Sequence, residues 1–436
     1  MSERPKPIVV VDRARPFRAV CLCTRRGTLA DPRGKAGLAQ LTARMLTRGA
    51  AGRTRATIAD DIDTLGAAVD ISAGRDNVTL WADGLSRNFH ELEAILADVL
   101  CHPTFPVDEL EKLKRETLAE LAEVRDDDEA LGQRFFARAL YGRHAYGRPG
   151  RGTEATLAAI TRDDLVAFHA NQLRSDDALL GAAGDVTDAD LARWDALLVA
   201  PRAGAIPALS PIAAPTPGAG YRVVIVDKPD RTQTQVFIGH LALPSHHPDW
   251  TALHIGQTVF GGTFASRLTR EIRERRGWSY GAYSALQSDQ RLGTFTIRFY
   301  PADKDCRPAL EVTDAMLHAF ASEGPTADEI VAAQANLQNG HVFSIDTAPR
   351  RLSELASARL LGHDEGWIDN TVARLAATSP EAVIASVKHH LRPDDLTVVI
   401  VGTAKTLVPE LSGWPRVASL EVVDWMTNLE DSTGPT

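Results

Sequence analysis

One stretch of this 436-residue chain gathers residue types that do chemistry: GGTFASRLTREIRERRGWSYGAYS, residues 261–284. Gly261 and Gly262 form a permissive turn. Phe264 to Arg276 reads as a helix with Ala265, Leu268 and Ile272 on one face, and Gly277 closes it. Trp278 to Ser284 then alternates as a strand does. The helix carries Arg267, Arg270, Arg273, Arg275 and Arg276, and in this order an arginine near the helix end and a tyrosine two residues into the strand can converge on one oxygen. Guanidinium and phenol are both donors, which suits a peptide carbonyl or a developing oxyanion. The plainer reading of the same arginine-rich helix is a solvated face with Glu271–Arg275 and Arg270–Glu274 pairs one turn apart.

Other chemistries find little support. No two of the thirteen histidines are three to five positions apart, so a helical zinc pair is absent. His246-His247 and His389-His390 read as solvated loop or helix-end residues. There is no nucleophile elbow, P-loop or dinucleotide fingerprint. Cys21, Cys23, Cys101 and Cys306 are too few for a disulfide framework and read as small buried hydrophobes, Cys21 and Cys23 on one strand face. A net charge of −9 argues against a nucleic-acid partner. No segment has the length of a membrane span and the first residues lack an apolar signal core, so a cytoplasmic protein is expected.

The elements that must position the Arg/Tyr segment repeat once along the chain. Leu173-Arg174-Ser175-Asp176-Asp177 returns 218 residues later as Leu391-Arg392-Pro393-Asp394-Asp395. Both lead into apolar runs ending in Gly184 and Gly402. IVVVDRARPFRAVCLCT near the start resembles VVIVDKPDRTQTQVFIG, and Asp108-Glu109 and Asp328-Glu329 each open a long helical pattern. Two homologous α+β domains follow, 1–206 and 221–436, joined by a Pro/Gly-rich linker at 207–220. Each is expected to be a mostly antiparallel or mixed sheet covered by helices. VTLWADGL (78–85) and GTFTIRFYP (293–301) read as half-buried strands, 108–124 as an amphipathic helix, and Asp108 and Asp163 as N-caps.

The 261–284 segment resembles the C-terminal-half signature of the pitrilysin/insulinase metallopeptidases, the family of mitochondrial processing peptidase. That pattern has Gly-Gly, Ser-Arg-Leu, Leu/Ile-Arg-Glu, then Gly and Tyr, with Arg and Tyr seven positions apart, matched here by Arg273 and Tyr280. The resemblance implies that this pair grips substrate near the scissile carbonyl, with Tyr283, Gly261 and Gly262 as further substrate-binding candidates. It also implies a zinc motif, His-x-x-Glu-His, in the first half. The frame for it is present in Gly37, Leu38, Ala39, Met45 and Gly49, but Gln40 and Arg44 stand at the two histidines and Ala43 at the glutamate. Glu120 matches the family's third ligand and is expected to pair with Arg44 instead.

The resemblance therefore implies a non-catalytic subunit. No metal or other cofactor is expected in this chain, and zinc is expected in a homologous, motif-bearing partner of a peptide-cleaving heterodimer. The alternatives are an inactive homodimer that binds peptides or serves as a structural protein, and an enzyme with unorthodox ligands.

Overall fold

Alternation of apolar residues sets the sheets. Val78–Leu85 buries every second side chain until its last residue, and Gly293–Phe299 is nearly as regular. Leu179–Gly184 and Thr397–Gly402 are buried along their whole length, as central strands covered on both faces must be. The computed structural model describes residues 5–173, 178–202 and 218–427, so most of the expected linker lies outside the described residues.

The first sheet holds β1 (Ile8–Val11), β2 (Phe17–Thr24), β5 (Ala68–Ala73), β6 (Val78–Leu85) and β7 (Leu179–Gly184) in the order β1-β7-β2-β6-β5. A short hairpin, β3 (Gly49–Ala50) with β4 (Arg53–Thr54), stands apart. The second sheet holds β8 (Tyr221–Asp227), β9 (Gln235–Ala242), β10 (Ala282–Ser288), β11 (Gly293–Phe299), β12 (Thr397–Gly402) and β13 (Val417–Asp424), ordered β10-β11-β9-β12-β8-β13. Apart from β13 the two orders are the same. In both, the first strand runs parallel to the last of the repeat and the other shared pairs are antiparallel, while the additional β13 joins β8 in parallel. The repeat read from sequence is thus a repeat of topology.

One face of each sheet carries its own helices over an aliphatic core. The other face is covered by a helix from the opposite half. Helix Asp128–Tyr141 lays Leu131, Phe135 and Phe136 on Val226, Phe237, Val399 and Val401 of the second sheet. Its approach needs Gly132, where a Cβ would lie 2.3 Å from the Phe237 ring. Helix Ala348–Leu360 returns the exchange, packing Leu352 and Ala356 on Ile8, Ala19, Cys21 and Leu179. Cys21, Cys23 and Cys306 are free and buried. Among the described residues no helix is long and apolar enough to cross a membrane.

Local details differ from the sequence expectations. Asp163 lies in the first turn of Arg162–Gln172, and the cap is Thr161, whose hydroxyl accepts from the Asp164 amide. Asp108 likewise sits inside Val107–Asp126, with Pro106 at the cap position. An acidic residue in a first turn still complements the helix dipole, which is why the two positions look alike in sequence. The expected helix from Phe264 starts only at Arg267, because Ser266 is extended and its hydroxyl accepts from the Thr269 amide. It runs through a widened turn to Arg275 and closes at Gly277, with φ +65°. The following strand begins at Ala282, not Trp278. Ser279 Oγ donates to the Gly281 carbonyl and holds 278–281 as a loop, so Tyr280 sits on that loop.

Candidate active-site surfaces

Helix Leu38–Met45 begins where Gly37 turns left-handed, with φ +97°. The buried Asp31 carboxylate accepts the amides of Gly37 at 2.9 Å and Ala39 at 2.8 Å. The helix buries Leu38, Leu41, Ala43 and Met45, leaving Gln40 and Arg44 one turn apart on the remaining face. Gln40 Oε1 accepts the Ala73 amide at 3.1 Å, which ties the helix to the edge strand β5. Arg44 reaches Glu120 on helix Val107–Asp126 with both terminal guanidinium nitrogens, at 2.7 and 3.1 Å, and Thr117 Oγ1 at 3.3 Å. The expected Arg44–Glu120 pair is present.

This donor set does not fit zinc. A zinc site needs three or four nitrogen, sulfur or carboxylate ligands. Positions 40, 43, 44 and 120 offer one carboxylate, and a bidentate cation already holds it. The pair is an electrostatic plug that stabilises little, since its side chains are 28% and 35% exposed. Glu120→Gln is expected to cost no more than about 1 kcal/mol in urea unfolding. A loss several times larger would mean the pair organises the helix.

Asp31 behaves differently. Burial pushes its carboxyl up to about 7, against the pull of the Ala39 and Gly37 amides and of Arg148. A folded-state value above the unfolded one gives stability that is complete below about pH 4 and is lost as pH rises to 7. The shift of about 3 units corresponds to about 4 kcal/mol. Asp31→Asn should remove this component. The stability of the native chain relative to the variant should then fall across pH 4–7, read by denaturant melts at stepped pH. Parallel curves would contradict it.

The second surface lies beside β10, the edge strand equivalent to β5. Arg273 is stacked between two rings, 4.6 Å from the Phe264 centroid and 4.8 Å from that of Tyr280. Both rings face solvent, Tyr280 being 79% exposed. Phe264 also meets Tyr283 edge-on at 6.3 Å. Of the neighbouring arginines, Arg267 pairs with Glu329 at 2.6 Å, and Arg275 and Arg276 share the single carboxylate of Glu271. The expected Arg270–Glu274 pair is not found among the described residues. Arg273 has no carboxylate partner among them either, so its charge and its N–H groups are available to a ligand. The stacking fixes its plane without using its donors.

Arg273, Tyr280 and Tyr283 therefore share one surface. Gly261 and Gly262 lie behind it as packing positions. A Cβ at Gly261 would lie 2.6 Å from the Ser284 amide nitrogen, and one at Gly262 would lie 3.1 Å from Gln257 Nε2. The two glycines end the helical segment Thr258–Gly262 rather than forming a separate turn, and the small size of Gly261 lets that helix end dock on β10. Phe264 was missed in the sequence because it reads as the first residue of a helix. The Ser266-x-x-Thr269 cap pattern was the signal that it lies outside.

A family model described as "Insulinase (Peptidase family M16)" matches residues 8–154, and one described as "Peptidase M16 inactive domain" matches residues 159–337. The chain belongs to peptidase family M16. An uncharacterized zinc protease of Mycobacterium leprae is 28% identical over 391 residues, covering 86% of this chain and 85% of that protein. One from Bacillus subtilis is 23% identical, covering 80% and 84%. The crystal structure of a peptidase M16 inactive domain from Pseudomonas fluorescens superposes with a TM-score of 0.84 at 26% identity, covering 91% of this chain and 95% of that one. In this M16 chain helix Leu38–Met45 holds Arg44 against Glu120 and Gln40 against the Ala73 amide.

Proposed function

We propose that this chain is the non-catalytic, substrate-binding subunit of a heterodimeric zinc metallopeptidase, and that it supplies Arg273 and Tyr280 to a site completed by a zinc-bearing M16 partner. The observation that carries this reading is the contrast between the two surfaces. The zinc frame is plugged by Arg44 and Glu120, whereas the half-buried Arg273 guanidinium has no carboxylate partner among the described residues and stacks on the exposed Tyr280 ring. A scaffold has no use for a cation held ready in this way.

In the assembled enzyme the partner supplies the metal, which activates water, and the general base. Arg273 and Tyr280 donate to the substrate carbonyl or the adjoining backbone, and Tyr283 and Phe264 form the wall behind them. The substrate is an extended or unfolded peptide. No activity is expected from this chain alone.

The test is reconstitution. This chain and an M16 chain bearing His-x-x-Glu-His from the same cells are purified separately, mixed, and assayed on unstructured fluorogenic peptides. Hydrolysis by the mixture and by neither chain alone supports the reading. Hydrolysis by this chain alone, or no association between the two, overturns it in favour of an unorthodox enzyme or an inactive homodimer.

A further inference from the structure

The histidine pairs that look solvated in sequence meet in the fold. The loop after β9 carries His247 and Asp249, and His390 ends helix Pro380–His390. His390 Nε2 lies 2.8 Å from Asp249 Oδ2, and His247 Nδ1 lies 4.0 Å from the same oxygen. One donor atom from each of the three falls within 4.8 Å of the others. We propose that His247, Asp249 and His390 form a binding site for a zinc-type divalent cation, distinct from the degenerate motif of the first half.

Three features support a site rather than a chance meeting. Two imidazoles and a carboxylate are a donor set that zinc and its first-row neighbours prefer. Two helix ends also meet here with complementary dipoles. Asp249 precedes helix Trp250–Gln257, where a carboxylate is favoured, and His390 closes helix Pro380–His390, where a cation is favoured. The third feature concerns tautomers. His247 Nδ1 accepts the Asp249 amide at 3.1 Å, so this nitrogen carries the lone pair a metal needs. An arriving ion takes that lone pair over from the amide and replaces the proton between His390 and Asp249.

An open cleft of about 760 Å³ adjoins the cluster, bounded by His246, Trp367 and Arg374. It leaves room for water or a small anion as the fourth ligand. The bound ion would staple the 247–249 loop to a helix more than a hundred residues away in sequence. The proposed role is structural, and it is independent of the subunit's part in peptide cleavage.

The experiment is calorimetric titration of the metal-stripped full chain with Zn²⁺, with Co²⁺ as a spectroscopic probe of coordination. One equivalent is expected, with visible Co²⁺ absorption of a low-coordinate site. Binding should weaken by more than the about 10–100-fold typical of losing a supporting residue in His247→Gln and in His390→Gln. Zinc should raise the melting temperature of the native chain and leave that of the folded double variant unmoved. No saturable binding by the native chain, or undiminished binding by a double variant with native circular dichroism, would overturn the proposal.

Discussion

Arg273→Ala is expected to lower turnover of the assembled heterodimer about 100-fold while leaving its assembly intact. The magnitude follows from the task. A donor aimed at charge that develops in the transition state is worth about 3 kcal/mol. Arg273 has that donor capacity to give, because aromatic stacking rather than a carboxylate holds it. The structural cost of removing it is small, since it stacks on two solvent-facing rings and leaves no buried partner unpaired. Tyr280→Phe makes the complementary test. It keeps the ring beneath the guanidinium and removes only the hydroxyl, so a comparable loss in kcat would place that hydroxyl on the substrate. Normal turnover in either variant, with the partner bound as tightly as before, would remove that residue from the site.

The second large effect is a gain. Gln40→His combined with Arg44→His is expected to confer one additional equivalent of zinc on this chain, with a Kd at or below about 1 µM, which is about 8 kcal/mol of binding. The two positions lie one turn apart on the half-buried side of helix Leu38–Met45. The Glu120 carboxylate already faces position 44 from the neighbouring helix, at 2.7 Å from the guanidinium it now binds. Removing Arg44 frees that carboxylate as a third ligand. The cost is the Gln40–Ala73 hydrogen bond, about 1 kcal/mol. No peptidase activity should accompany the metal, because Ala43 supplies no base. Adding Glu120→Gln should abolish the gain. A folded double variant that binds no more zinc than the native chain would show that the frame has drifted beyond recovery.

Legibility in the sequence followed the range of the interaction. Alternation in 78–85 and 293–301 reports a local pleat: the first strand is where it placed it, and the second ends at Phe299, two residues short. The matches between Leu173 and Leu391, and between the apolar runs after them, reported a shared topology because each half must close its own sheet. Arg44 facing Glu120 was readable only through the resemblance, since two helices bring them together. The start of the Arg273 helix and the loop holding Tyr280 turned on single hydroxyls, Ser266 and Ser279, which helical and strand periodicity do not register. The exchanged helices Asp128–Tyr141 and Ala348–Leu360 are amphipathic, but their period does not say which sheet they cover. His247 and His390 looked solvated for the same reason: their meeting depends on how two distant helices end.

On the proposed function this chain works only beside a zinc-bearing relative. The most direct test is to recover the tagged chain from its native cells under mild conditions and identify what accompanies it by native mass spectrometry. A 1:1 complex is expected with an M16 chain of similar length that carries His-x-x-Glu-His. Recovery as a homodimer, with no such chain at stoichiometric amounts, would contradict it.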